Sequence, residues 1–251
     1  RNTIDIKLPV LENKNISKIE KNIELLTNKV NPNLLSDFDN IYLRAYDEKY
    51  KDFNLYFYLD SHDDYKIDEL ISYLQKYNYK GVICNNYRDL NFISDFNKNN
   101  IGIRIGRYLN IFNSYTSDFY SDFAEMICLS SESDLDFINA NSSRMRTEAL
   151  VYGRIELMNM RHCPFSTIKK CCLSGCSTCS FNKGEMKSVD GSYMKVIRYG
   201  DYSKIYPDKT DIFDISKLSK DTSLLYSIMD DQDLINLNKA KVRDSYTKGV
   251  I

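Results

Sequence analysis

From residue 40 onward, short runs of branched and aromatic residues alternate with segments of helical period, and this alternation constrains the fold more than any other feature. The runs are NIYLRAY (40–46), NLYFYL (54–59), GVICN (81–85), GIRIG (102–106), MICLS (126–130) and TEALVYG (147–153), built from residues that suit a pleated surface. Between the second and third, KIDELISYLQKY sets Ile67, Leu70, Ile71 and Leu74 on one helical face, with Asp63 or Asp64 available as a cap. Further helices are expected through DLNFISDFNKNN after Asn86 and through SESDLDFI after Ser130. Strand–helix units of this length imply parallel strands joined by right-handed crossovers. An open doubly wound sheet and a TIM-type barrel both satisfy that rule. The one glycine-bearing strand exit, GIRIGRY, lacks the spacing of a dinucleotide fingerprint, so the expected fold is an α/β, TIM-barrel-like barrel, complete or incomplete. Functional groups then belong at the C-terminal strand ends, which puts Asn85, Asn86, Asn110, Asn113, Ser130, Glu132, Tyr152 and Arg154 near one rim.

With 43% hydrophobic and 27% charged residues in 251 positions, the chain can bury a core of its own. Its 34 basic and 35 acidic side chains leave a net charge of -1, which gives no general pull toward nucleic acid or membrane, so any RNA contact must be a local patch. Arg104, Arg107 and Tyr108 form the best such group, with ordinary surface as the alternative. No run reaches the roughly 18 apolar residues of a membrane helix, and the N-terminus lacks a secretory layout. A cytoplasmic location without membrane contact is expected. The first residue is Arg1, and the chain is read as a piece of a longer one, with an N-terminal half or partner subunit missing. Two histidines, His62 and His162, are too few to assemble a Ser-His-Asp or Cys-His device with any security.

Five of the seven cysteines fall between Cys163 and Cys179, in a polar stretch without a usable period. Such clustering favours a metal over a disulfide framework; Cys84 and Cys128, in apolar runs, read as buried small hydrophobes. Four thiolates close a tetrahedral zinc site or hold a four-iron cluster. The preferred set is Cys163, Cys172, Cys176 and Cys179, with the choice between Cys171 and Cys172 open, because neighbouring side chains diverge. Ser174 and Gly175 allow a tight turn there. Zinc fits the same spacing, Cys172-x-x-x-Cys176-x-x-Cys179 also matches a radical SAM triad, and a loop of free thiols is the plainest alternative.

Three segments in order, RYLNIFNSYT (107–116), MICLSSESDLDFI (126–138) and VYGRIELMNMRHCPF (151–165), together with a weaker SYTKGVI at the C-terminus, resemble the second half of large proteins of the U-32 (collagenase-like) peptidase family. The resemblance covers roughly residues 80–180. It implies a barrel whose cysteines hold an iron–sulfur cluster, and either peptidase (hydrolase) activity, as the family name suggests, or hydroxylation of RNA or a quinone precursor. By position, Cys163, Cys176 and Cys179 match family cysteines, and Asn110, Asn113, Glu132, Tyr152 and Arg154 match motif residues as substrate-binding candidates; no catalytic residue carries over. RYGDYSKIYPDK lacks the cysteine the family places there.

Three units follow: a barrel over 1–160, a cysteine-rich metal or cluster loop over 161–190, and an extension over 191–251 packed on the barrel. In the last, YMKVIRY reads as a strand and DTSLLYSIMDDQDLINLNKAK as a helix. The chain is then an iron–sulfur RNA-modifying hydroxylase or its non-catalytic half. A zinc-stabilised binding module or accessory subunit is the alternative.

Overall fold

The computed structural model describes residues 19–60, 62, 64–166, 183–199, 202–212 and 215–237. Eight parallel strands close into a barrel: β1 (Lys21–Leu25), β2 (Asn40–Leu43), β3 (Leu55–Tyr58), β4 (Gly81–Cys84), β5 (Gly102–Ile105), β6 (Met126–Cys128), β7 (Thr147–Gly153) and β13 (Thr222–Ile228). Each pairs with the next, β6 pairs with β7, and β13 lies between β7 and β1. The crossovers carry α1 (Ile67–Lys76), α2 (Ile93–Lys98), α3 (Ser114–Ser121) and α4 (Leu135–Ser142), and α5 (Asp231–Ile235) follows β13. The TIM-type reading holds, and the barrel is complete. All six runs named from the sequence contain a barrel strand.

Two readings change. The stretch from Asp221 to Lys241, expected as a helix, begins with β13 and turns helical only at Asp231. Leu225 and Ile228, three apart, mimic helical spacing, but Leu225 packs inside the barrel, while Tyr226 and Ile228 face the shell outside it. The segment 191–251 thus supplies a barrel strand as well as packing on the outside. The N-cap of α1 is Lys66, without a side-chain cap bond; Asp64 pairs instead with Arg88 at 3.0 Å, and Asp63 lies outside the described residues.

Between β7 and β13 the chain inserts a second sheet, antiparallel, in the order β8 (Met158–Met160), β11 (Tyr202–Pro207), β10 (Tyr193–Tyr199), β9 (Lys183–Lys187). The two-residue β12 (Asp211–Ile212) then pairs antiparallel with β7. Because β8 follows the C-terminal end of β7, the insert lies over that mouth of the barrel. It is fastened there by a small apolar cluster of Leu26, Ile197, Tyr206 and Met229 with Tyr199, and the Tyr199 hydroxyl donates to the Leu26 carbonyl at 2.8 Å.

The apolar core is a shell between strands and helices. Ile23, Ile41, Phe57, Val82, Ile103 and Ile127 face outward against Leu70, Leu74, Phe96 and Ile138 of the helices. The alternate strand positions face the lumen and carry Tyr42, Tyr56, Tyr58, Ile83, Cys128, Leu150 and Leu225, together with the buried polar side chains of Asn22, Glu24, Asn40, Arg104 and Glu148. TIM-barrel lumens are usually filled with branched aliphatic residues. This one is filled largely with tyrosine and charge.

Candidate functional site

Two charged clusters occupy the lumen, one toward each end. At the N-terminal end, Arg104 on β5 reaches Glu20 at 2.9 Å and Glu125 at 2.8 Å and donates to the hydroxyls of Tyr42 and Tyr56. Arg146 binds the other oxygen of Glu20 at 2.8 Å. Glu148 accepts from Asn22 at 2.8 Å and from Tyr42 at 2.9 Å. Burial raises its pKa, with Arg104 and these two donors offsetting only part.

Toward the mouth, Glu24 takes Arg107 on one oxygen and Arg44, at 2.9 Å, on the other. Asp60, just past β3, takes Arg44 at 3.2 Å and Lys204 at 2.8 Å. Lys204 comes from β11 of the inserted sheet and also binds Glu156 at 2.9 Å, which accepts from the Tyr108 hydroxyl. Burial alone would raise the Glu24 carboxyl, but Arg107, Arg44 and Lys204 outweigh it and hold its pKa down at about 2. Asp60 is lowered in the same way, chiefly by Arg44 and Lys204 against burial. Three carboxylates thus meet three basic side chains, and this bridge ties the insert to the barrel.

Beside the bridge, on the β4–β5 side, the mouth stays open as a pocket of about 240 Å³. Asn85 and Asn86 at the end of β4, Tyr108 and Leu109 after β5, Tyr87, and Asn159 and Lys204 from the insert line it. Asn86 caps the 3-10 turn that carries Tyr87, and Asp89 closes that cap by accepting from the backbone N–H groups of Asn85 and Asn86 at 3.1 and 3.0 Å. The Tyr87 side chain is 68% exposed, which leaves a ring face available at the pocket edge. The Asn85 amide donates to the Leu59 carbonyl at 3.0 Å, and its Oδ1 has no hydrogen-bond donor among the described residues. A Cβ on Gly106 would stand 2.0 Å from that oxygen, so only glycine lets the amide lie here. Asn85 also borders a small void deeper in the lumen, beside Glu24, Tyr58, Arg107, Cys128 and Glu148.

The five substrate-binding candidates all lie at or just beyond the C-terminal ends of β5, β6 and β7, but they line no common pocket among the described residues. Asn110 closes the turn after β5 in the left-handed region at φ 49° and is exposed. Asn113 caps α3, accepting from the Thr116 N–H at 2.9 Å. Glu132 is exposed in a turn whose backbone N–H donates to Ser130. Tyr152 and Arg154 do meet, although away from the lumen. The pairing of β7 with β13 skips Val151, and this bulge turns Tyr152 outward into the shell, where its hydroxyl donates to the Asp233 carbonyl. Arg154 binds both oxygens of Asp233, at 3.0 and 2.7 Å, and the carbonyls of Pro207 and Asp208. Both residues fasten the β7 end to α5 and to the chain after β11.

Arg104 and Arg107 form no RNA platform: their side chains are 2% and 4% exposed and bound to lumen carboxylates. Cys84 and Cys128 are buried, as expected, and burial pushes both thiols up. Cys163 is a free, partly exposed thiol, while Cys171, Cys172, Cys176 and Cys179 lie outside the described residues. No group of three metal-binding side chains is present among the described residues. His162 is exposed, with Nε2 3.3 Å from the Ser166 hydroxyl. No described helix is long and apolar enough to cross a membrane.

Nothing in the sequence singled out Glu24, Arg44, Asp60 and Lys204, or the pocket residues Tyr87 and Asn159, whereas Tyr108, expected in a local RNA patch, does line the pocket. The signal was a charge inside or directly after an apolar strand run, as in NIEL, NIYLR and GIRI, since in a closed parallel barrel both strand faces are covered. Comparison with protein-family models, with curated proteins and with solved structures yields no match.

Proposed function

We propose that this barrel is the RNA-binding half of a U-32-type iron–sulfur protein, and that a single unstacked base enters the 240 Å³ mouth pocket. One observation supports this reading above the others. The cysteine segment leaves the barrel through β8, the strand that contributes Asn159 to the pocket wall, and Cys163 follows four residues later. At roughly 3.5 Å per extended residue, at most about 14 Å of chain separates them. A cluster held by Cys163, Cys172, Cys176 and Cys179 would be tethered through Cys163 to within that distance of the pocket wall. The donor set fits such a group: soft thiolates, of which the described member is free. When bound, a four-iron cluster supplies one-electron redox chemistry.

The chain's own residues provide the binding. The exposed ring of Tyr87 offers a stacking face and the half-buried Tyr108 a second wall. Asn86 and Asn159 offer amides to a base edge, and Lys204, held between Asp60 and Glu156, closes the inner end of the pocket. A pocket below the size usual for drug-like ligands suits one ring system. Proteolysis is the weaker reading, because both buried thiols are shifted toward the protonated form and neither histidine has a carboxylate partner among the hydrogen bonds and ion pairs of the described residues.

The test is equilibrium binding of a fluorescent RNA hairpin with an unpaired loop, comparing the native chain with Tyr87→Ala. Base stacking on an aromatic ring contributes about 1–3 kcal/mol, so the substitution is expected to weaken binding at least about fivefold. RNA affinity unchanged by Tyr87→Ala, or no RNA affinity at all, overturns the reading.

A further inference from the structure

The turn that carries Tyr87 hangs on one buried carboxyl. A single oxygen of Asp89, Oδ2, accepts from the backbone N–H groups of both Asn85 and Asn86, the two residues that lead from β4 to Tyr87. In return the Asn86 side chain accepts from the Arg88 N–H at 2.9 Å, and the Asp89 N–H donates to the Asn86 carbonyl at 3.0 Å. Asn85, Asn86 and Tyr87 are consecutive lining residues of the mouth pocket. Asp89 is not among them and is 0% exposed, so it acts on the pocket only through this wall.

The other oxygen is bonded differently. Oδ1 of Asp89 is buried and has no hydrogen-bond donor among the described residues. Arg88 holds Nη2 at 3.5 Å from it, beyond good hydrogen-bond length, while its Nη1 pairs with the exposed Asp64 at 3.0 Å. From β4 the group beside Asp89 is the Cys84 thiol. The helix α2 carries Asp95 and Lys98, neither of which is ion-paired with Asp89 among the described residues, and the Tyr120 side chain of α3 hydrogen-bonds to that of Tyr87. Asp63 lies outside the described residues. This geometry suits a neutral acid, whose carbonyl oxygen takes the two N–H groups and whose hydroxyl needs no donor; a carboxylate would leave a charged oxygen buried without a hydrogen bond. In agreement, burial lifts the Asp89 pKa to about 6 against the backbone donors and Arg88. We propose that Asp89 is a positioning residue for the mouth pocket: the neutral acid holds Asn85, Asn86 and Tyr87 as the wall described here, and the carboxylate releases them. The consequence for RNA affinity rests on the reading proposed above, whereas the movement of the wall does not.

The test is a pH titration of the full chain by NMR, following the Asp89 carboxyl carbon, the Asn85 and Asn86 backbone amides and the Tyr87 ring. All four are expected to titrate together with a midpoint near 6, and to do so equally in His62→Gln/His162→Gln, which removes both histidines. Asp89→Asn keeps one oxygen for the two N–H groups and mimics the neutral acid, so its Asn85, Asn86 and Tyr87 signals should stay at their low-pH positions throughout. Affinity for the fluorescent hairpin should fall above pH about 6, by at most the roughly tenfold per pH unit that one linked proton allows, and should not fall in Asp89→Asn. A Tyr87 ring that stays fixed while the Asp89 carboxyl titrates overturns the proposal, as does a titration at Tyr87 that disappears in the histidine variant. Should Asp89→Asn fail to fold, the native carboxyl and ring midpoints decide the matter, and unequal midpoints overturn it. A hairpin that fails to bind at any pH overturns the RNA reading and leaves the titration to judge Asp89.

Discussion

The barrel wall separates two cores built on opposite principles. Outside it, Leu74, Phe96, Ile103 and their neighbours form a continuous apolar shell, held by area removed from water and tolerant of any shape that fills the space. Inside it, Glu24, Arg107, Arg44, Asp60 and Lys204 are paired with one another away from solvent, an arrangement that persists only because each charge has its partner. The shell specifies that helices cover the strands. The lumen specifies one arrangement of strand ends, because a shifted register would strand a charge.

The largest effect should come from breaking one lumen pair. Arg107→Met leaves Glu24 with Arg44 alone, and a loss of about 3–5 kcal/mol is expected in urea unfolding. Glu24→Gln should cost a similar amount. The double variant should lose clearly less than the sum, which a double-mutant cycle measures directly; additive losses would mean that the pair is not coupled. In the shell, Leu74→Ala should cost about 2–4 kcal/mol through lost transfer energy and a residual cavity, and a cycle with a residue more than about 10 Å away should be additive.

The pH response should separate the two cores as well. Glu24 is held at about 2 and Asp60 is also lowered, so their stabilisation is complete above the unfolded carboxylate range and is lost as pH falls from about 4 toward 2. For Glu24 this amounts to something on the order of 3 kcal/mol. Asp89 has the opposite sign. Burial lifts it to about 6 despite the backbone donors of Asn86 and Asn85, so its contribution favours the protonated fold and declines as pH rises from about 4 to 6. Urea midpoints at pH 4 and 6 should therefore differ less in Asp89→Asn than in the native chain. The smallest effect is expected at Asn113→Ala, about 1 kcal/mol, the ordinary value of an N-cap. A cost well above that would restore a role for Asn113 beyond capping α3.

The shell was legible because its residues obey period: β-rich runs at two and α1 at 3.6. The lumen was not, because a charge within a strand looks, in sequence, like an outward-facing polar residue. Arg104 in GIRI illustrates this, since only closure of the sheet makes its side of β5 an interior. Tyr152 misled for a related reason. Strict alternation places it with Glu148 and Leu150, and the bulge at Val151, which no turn residue announces, rotates it into the shell. β13 escaped recognition because TSLLYSIMDD offers leucines and acids at spacings that a short helix also uses. Asn85 and Asn86 were placed at the rim, and their loop does line the mouth pocket, whereas Lys204 arrives from a sheet inserted well after the barrel's seventh strand.

The proposed iron–sulfur cluster on Cys163, Cys172, Cys176 and Cys179 is tested most directly by its metal content. Iron and acid-labile sulfide should be determined on chain purified without oxygen, in parallel with Cys176→Ser. The expected result is about four irons per chain with broad absorption near roughly 400 nm, both lost in Cys176→Ser together with thermal stability. A single zinc, or no metal in either protein with an unchanged unfolding midpoint, would contradict the account.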